Sequence, residues 1–298
     1  MNIPAPNSPF RIKLALIVAL MAISSAAIIV RLLPGLHAVV IAFWRMSFAS
    51  IALWSYLLFK KSPFLERKSF LLMSIAGVFL GLHFAFFFTA VQKTSLANAT
   101  LFGTLAPVFT TAFERLIFKK TIKKSLISGL IVGFIGTIII QIPGFSIHNT
   151  TFLGDLSAGI SSFWIAIVIL ISAEIRKSID TIVFSAYLFT FASITLLIIA
   201  IILNLSIFEI NQHQTFLLIL LGLIPNLLGH SMLYYAIRYL SSSTVASLPL
   251  GEPLVVSTFG WILFGESVHI LVLVGGSLIL FGLWIIIKSS EVENIPLN

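Results

Sequence analysis

The stretches Ser95–Phe118, SLANATLFGTLAPVFTTAFERLIF, and Ser241–Phe264, SSSTVASLPLGEPLVVSTFGWILF, decide the fold when read side by side. Each is long and apolar enough to cross a bilayer, which takes about 20 residues as a helix. At an offset of 146, Ser95 meets Ser241, Pro107 meets Pro253, Phe113 meets Phe259 and Phe118 meets Phe264. The match runs without a gap from Phe84–Ile140 onto His230–Ile286, pairing Ala90 with Ala236, Gly129 with Gly275 and Gly136 with Gly282. Upstream, Phe48-Ala49-Ser50-Ile51 recurs as Phe191-Ala192-Ser193-Ile194. The chain reads as a tandem repeat, a signal sought before local structure.

Composition agrees with membrane spans. The 298 residues are 59% hydrophobic and 9% charged, against roughly 25% charged in soluble domains. Mean hydropathy is +1.11. These values exclude a soluble domain and a disordered chain. Ten apolar stretches qualify as spans: Leu14–Val30, Ala38–Phe59, Ser69–Val91, Leu96–Phe118, Ser125–Gln141, Leu156–Ala173, Thr181–Leu205, Phe216–Ile237, Ser243–Phe264 and Ile270–Ile287. None alternates with period two, so helices are expected and not a β-barrel. Leu14–Val30 follows Arg11 and Lys13 as a signal peptide would. It is read as a span, because its removal would leave nine spans and spoil the charge pattern.

Fourteen of the 18 Lys and Arg residues fall on one side of this topology, two on the other, and Arg45 and Arg115 within spans. The positive-inside rule then puts both termini in the cytoplasm. The net charge of +8 and the pI near 9.9 follow from topology, so the partner is a lipid bilayer and not nucleic acid. The longest connection, Ile142–Asp155, leaves no room for an extramembrane domain. Each repeat, residues 1–145 and 146–298, holds five spans, an odd number. The second therefore enters the membrane inverted, an architecture that puts a binding site near the midplane between halves.

Several chemistries are missing. There is no cysteine, so no disulfide, thiolate metal site or thiol nucleophile. No Gly-Lys dipeptide, HExxH, G-x-S-x-G or TVGYG occurs, which argues against ATP hydrolysis, zinc, an acyl enzyme and a potassium filter. No cofactor, metal or enzymatic activity is expected. Asn149-Thr150-Thr151 matches a glycosylation sequon.

Phe43-Trp44-Arg45, Leu105-Ala106-Pro107-Val108-Phe109, and Glu252-Pro253-Leu254 with Trp261 and Phe264-Gly265-Glu266 carry a family likeness. With them the chain resembles the EamA-type transporters of the drug/metabolite transporter superfamily, as two repeats at Leu14–Gln141 and Gly154–Ile287. The resemblance implies transport of small metabolites, often amino acids, sometimes drugs, in a prokaryotic inner membrane. One departure stands out: Lys119-Lys120 occupies the place where the family commonly has Gly-Glu.

Ionisable groups within spans are costly and mark candidate sites. Glu252 lies about 2 Å from its span's centre by helical rise, between Pro249 and Pro253, where a continuous helix is disfavoured. It is a proton acceptor or a counter-ion for an ammonium group, or else a structural carboxylate that caps broken backbone or pairs with Arg45. Arg45, roughly 5 Å outward of centre, suits a substrate carboxylate, an inter-helix ion pair, or snorkelling to headgroups. His83 and His230 fall about 4–5 Å on either side of the midplane and are either proton relays or neutral inter-helix glue. Trp44, Asn98, Trp164, Asn226 and Tyr234 are candidate pocket residues, and Pro107, Pro249 and Pro253 candidate helix breaks. Glu114, Arg115, Asp155 and Glu174 read as interfacial, and Glu266 and His269 as outer-loop residues. Gly77-x-x-x-Gly81 and Gly129-x-x-x-Gly133 permit close helix packing without specifying a dimer, and a monomer is compatible with the sequence.

The expected function is a secondary transporter of small metabolites working by alternating access, with proton coupling through Glu252 and the histidines. The alternatives are an uncoupled facilitator or multidrug exporter, and a membrane receptor or scaffold without flux.

Overall fold

The computed structural model describes residues 9–60, 65–144 and 152–290. The sequon at Asn149 lies outside them. In hydrocarbon every backbone polar group must be satisfied internally, so apolar stretches become helices. In order they are α1 Pro9–Arg31, α2 Ala38–Leu58, α3 Arg67–Lys93, α4 Leu96–Gly103, α5 Ala106–Leu116, α6 Lys124–Gln141, α7 Phe152–Ile175, α8 Thr181–Ile202, α9 Gln212–Leu221, α10 Ser231–Ala236, α11 Ser242–Ala246, α12 Glu252–Phe264 and α13 Ile270–Ser289. Among the described residues, nine helical segments are long and apolar enough to cross a membrane. The tenth expected span, Leu96–Phe118, is folded as α4 and α5, with the break at Thr104–Leu105 and Pro107 in the first turn of α5.

The two halves start their elements with the same chemistry. Ser95 caps α4 by accepting from the Asn98 N–H, and Ser241 caps α11 by accepting from the Thr244 N–H. His37 caps α2 by accepting from Val39, and Asp180 caps α8 by accepting from Ile182. In α1 and α7, an offset of 146 superposes the buried positions: Ile12 on Ala158, Ala15 on Ser161, Leu16 on Ser162, Ala22 on Val168, Ile23 on Ile169 and Ile29 on Ile175.

The halves pack in pairs of matching contacts. The α3–α7 contact is the image of α1 against Gly222–His230, and α3–α8 is the image of α2 against the same segment. The α4 and α5 contacts with α7 correspond to Leu248–Gly251 and α12 against α1, while α2–α8 and α6–α13 are their own images. A pseudo-two-fold axis therefore relates the halves. It shows at atomic scale where α6 meets α13. A Cβ on Gly136 would lie 2.5 Å from the Gly275 carbonyl oxygen, and one on Gly282 would lie 2.6 Å from that of Gly129. These contacts exchange into one another, and only glycine allows so close an approach. Ser47–Ser193 and Ser50–Thr190, each 2.7 Å between hydroxyl oxygens, are likewise images at an offset of 143.

One departure was not expected. The eighth span reads as a continuous α-helix, but Gly222–His230, with Pro225 inside it, is π-helical. Pro225 has no N–H for an α-helical bond, and a π-turn accommodates one extra residue. The Cβ position of Gly77 meets Phe191, Leu188 and Ala192, and that of Gly222 meets Phe48, Arg45 and Ala49. The local offset is thus 145 before the π-turn and 146 after it, where Phe84 meets His230.

Lipid-facing stripes complete the picture. On α6, Ile127, Ile131, Ile135 and Ile138 share an exposed face, while Gly129, Gly133, Gly136 and Ile140 face α13 and the core. In a membrane protein such an apolar exterior is the lipid contact.

Candidate functional site

Arg45, on α2, is buried and donates from Nε to Asn226 Oδ1 at 2.6 Å. Asn226, held inward by the π-turn, donates back from Nδ2 to the Arg45 carbonyl at 3.1 Å. The guanidinium carbon lies 4.4 Å from the Phe84 ring centroid and 5.9 Å from that of Phe88, a cation–π arrangement in a desolvated place.

Phe84 is the hub. Its ring also touches His83 at 4.7 Å and His230 at 5.7 Å, centroid to centroid. His83 Nδ1 lies 2.9 Å from the Ser161 carbonyl oxygen on α7, which joins the halves. His230 lies 6.2 Å from the Tyr234 ring, and the buried Tyr234 hydroxyl has no hydrogen-bond partner among the described residues. An orphaned buried polar atom of this kind marks a place where a polar group can be received.

Glu252 is half-buried at the start of α12. The expected break is present: Leu248–Gly251 is a 3₁₀ turn, and the Pro249 carbonyl, which Pro253 cannot serve, accepts from the Glu252 N–H instead. Among the described residues no ion pair within 4.0 Å joins Glu252 to Arg45, although each lies within electrostatic reach of the other. The gap between them is wider than an ion pair.

The structure thus gathers Arg45, Asn226, His83, His230 and Tyr234 around Phe84, with Glu252 nearby. It puts others elsewhere. Trp44 donates from Nε1 to the Ile207 carbonyl at 2.7 Å and stacks on Phe48, an anchor at the helix end. Asn98 donates to Asp155 Oδ1 at 3.2 Å, which Thr94 also serves at 2.6 Å, so it ties α4 to α7. Trp164 stacks on Phe79 at 5.0 Å with its Nε1–H unpaired among the described residues. Glu114 is not simply interfacial. It is buried, receives the Ser243 hydroxyl and bonds Lys120 at 3.0 Å, so it joins α5 to α11. Arg176 is held by the Tyr234 carbonyl at 2.9 Å, the Ile179 carbonyl and the Thr181 hydroxyl. Burial pushes its guanidinium down to about 10, which leaves it charged at neutral pH.

Phe84, Phe88 and Ser161 were not among the residues singled out from sequence. Phe84 had a usable signal, because it stands opposite His230 in the repeat. Among the described residues no three or more His, Asp or Glu side chains gather as a metal site would need.

Comparison with known proteins adds four findings. The sequence profile of the EamA-like transporter family matches residues 10–142 and 152–288. An uncharacterized transporter of Archaeoglobus fulgidus is 28% identical over 209 residues, covering 70% of this chain and 73% of its own. One of Clostridium kluyveri is 29% identical over 229 residues, covering 75% and 73%. A crystal structure 15% identical in sequence superposes with a TM-score of 0.77 over 93% of this chain and 96% of its own, a likeness of fold.

Proposed function

Because the chain belongs to the EamA-like transporter family and is a membrane transporter, we propose that it is a secondary transporter of small metabolites, amino acids or related compounds foremost, in a prokaryotic inner membrane with both termini cytoplasmic. The solute binds centrally and the halves rock around it.

One observation carries this reading. A two-fold related frame encloses a polar cluster that is not two-fold related. At the local offsets, Arg45 corresponds to Leu188, Glu252 to Ala106 and Asn226 to Gly81 or Leu80. Like halves can exchange shapes, which gives two related states open to opposite sides. The unlike cluster on the axis gives a single site common to both. Arg45, with its planar guanidinium, suits a carboxylate, and Glu252 suits an ammonium or a proton. The chain also breaks before α5 and α12, and broken helices are where transporters hold solutes and ions.

The test is flux in proteoliposomes, with a mixed panel of amino acids and small metabolites and an imposed pH gradient, comparing wild type with Glu252→Gln. Uphill movement of one compound class, lost in the variant, is expected. Downhill movement alone, equal in both proteins, makes the protein an uncoupled facilitator and returns Glu252 to a structural role. No movement of any compound contradicts transport of these classes.

A further inference from the structure

At one end of the bundle Arg31 and Glu266 form an ion pair between the halves, and the Arg31 guanidinium lies 4.6 Å from the Phe264 ring. At the repeat offset of 146, Arg31 corresponds to Lys177 and Glu266 to Lys120. The image of this ion pair is therefore two like charges. Each lysine turns to a carboxylate of its own half: Lys120 to Glu114 at 3.0 Å, and Lys177 to Glu174 at 2.6 Å. Between them lies a cleft of about 770 Å³, lined by Lys120, Lys177, Arg238 and Ser241 and walled by Phe113 and Phe163. Such a volume is in the roughly 300–1,000 Å³ range of small-molecule sites.

Arg238 is the informative member. Only 7% of it is exposed, yet its Nη1 has no hydrogen-bond partner among the described residues, and it makes no ion pair there within 4.0 Å. Arg176, another guanidinium, is within electrostatic reach of Arg238 and also of Asp180. A buried unpaired donor is costly, and an anion removes that cost while a neutral solute does so poorly.

We propose that this cleft binds a small organic anion with an apolar body. Its anionic group is held by Arg238 and stands between Lys120 and Lys177, in the place that the Glu266 carboxylate takes at the opposite end. The aromatic and aliphatic walls take the apolar body. Held between the two lysines, the anion draws the basic ends of the halves together. Treating that anion as a transported solute rests on the transport reading, whereas the binding site stands without it.

The test uses benzoate as the probe and benzamide as its neutral counterpart, with equilibrium binding to the full chain in nanodiscs of phosphatidylcholine. Benzoate is expected to bind at least tenfold more tightly than benzamide. Arg238→Gln is expected to weaken benzoate at least tenfold. Lys120→Glu supplies the missing carboxylate in place of the ligand, and because Lys120 also pairs with the buried Glu114, a melting temperature equal to that of wild type accompanies its use. It too is expected to weaken benzoate severalfold. Equal binding of benzoate and benzamide overturns the proposal, as do wild-type affinities in both variants. Displacement of benzoate by added phosphatidylglycerol assigns the site to a lipid headgroup and also overturns it. Flux separates the two readings. Benzoate binding without transport of any solute upholds the site and contradicts the transport reading. Transport of neutral solutes without benzoate binding does the reverse.

Discussion

Phe84 and His230 occupy equivalent places in the two repeats, 146 residues apart, and their rings touch at 5.7 Å between centroids. A contact between equivalent residues lies on the pseudo-two-fold axis. The axis thus runs through the place where Arg45 rests on Phe84, which is where the proposed transport reading needs its single site.

The bond from Arg45 Nε to Asn226 Oδ1, at 2.6 Å, is the shortest polar contact in that cluster. Asn226→Ala strands a buried guanidinium N–H, and hydrogen bonds to charged groups contribute about 1.5–3 kcal/mol. Denaturant titration in detergent should show a loss of that order. Asn226→Asp, which keeps an acceptor, should lose less.

The glycines at the α6–α13 contact make a paired prediction. Gly136→Ala and Gly282→Ala each force a Cβ against a carbonyl oxygen on the partner helix, at about 1–3 kcal/mol for overpacking. Because the sites are images, the two losses should agree. Gly159 has open space around its Cβ position, so Gly159→Ala should be neutral or stabilising by up to about 1 kcal/mol through helix propensity. Melting temperatures of the three variants check this.

Lys119 has φ of 52° where its repeat partner Gly265 has 66°. A left-handed conformation costs a side-chain-bearing residue roughly 1–2 kcal/mol, and glycine adopts it freely. Lys119→Gly should therefore raise the melting temperature, a gain for replacing a charged residue by the smallest one.

The two ends differ by one charge pair, so exchanging it should shift the balance of open states. With no cysteine in the chain, Ile167→Cys inside the basic-end cleft reports on that opening alone. Combining Glu266→Lys with Lys120→Glu should lower its labelling by a membrane-impermeant maleimide. Exposed ion pairs contribute about 0.2–1 kcal/mol, which is up to roughly fivefold in population.

Much of the frame was legible in the sequence. Paired Pro107 and Pro253 announced the breaks in the fourth and ninth spans, because the effect of a proline on helical backbone is local. The π-turn at Gly222–His230 was not legible as such, since Pro225 alone does not reveal how the backbone absorbs an extra residue. Its trace is the change of repeat offset from 145 at Gly77 and Gly222 to 146 at Phe84 and His230, which the contacts of the two glycines reveal. The partnership of Arg45 with Asn226 spans 181 positions and depends on how α2 crosses that turn. Asn98 and Trp44 had the right chemistry for a pocket, and the structure bonds them to Asp155 and to the Ile207 carbonyl, partners that polarity alone does not reveal. Lys120 was legible as a departure from the family pattern, while its meaning came only with the ion pair at the other end.

Distance measurements between spin labels test the central claim, rocking of two like halves, most directly. Leu116→Cys with Ser178→Cys spans the basic end, and Ile262→Cys with Leu32→Cys spans the image positions opposite, all at exposed sites. On addition of a transported solute, the first distance should shorten as the second lengthens, in matching proportions of molecules. Flux with both distances unchanged, or with both moving in the same direction, would contradict the account.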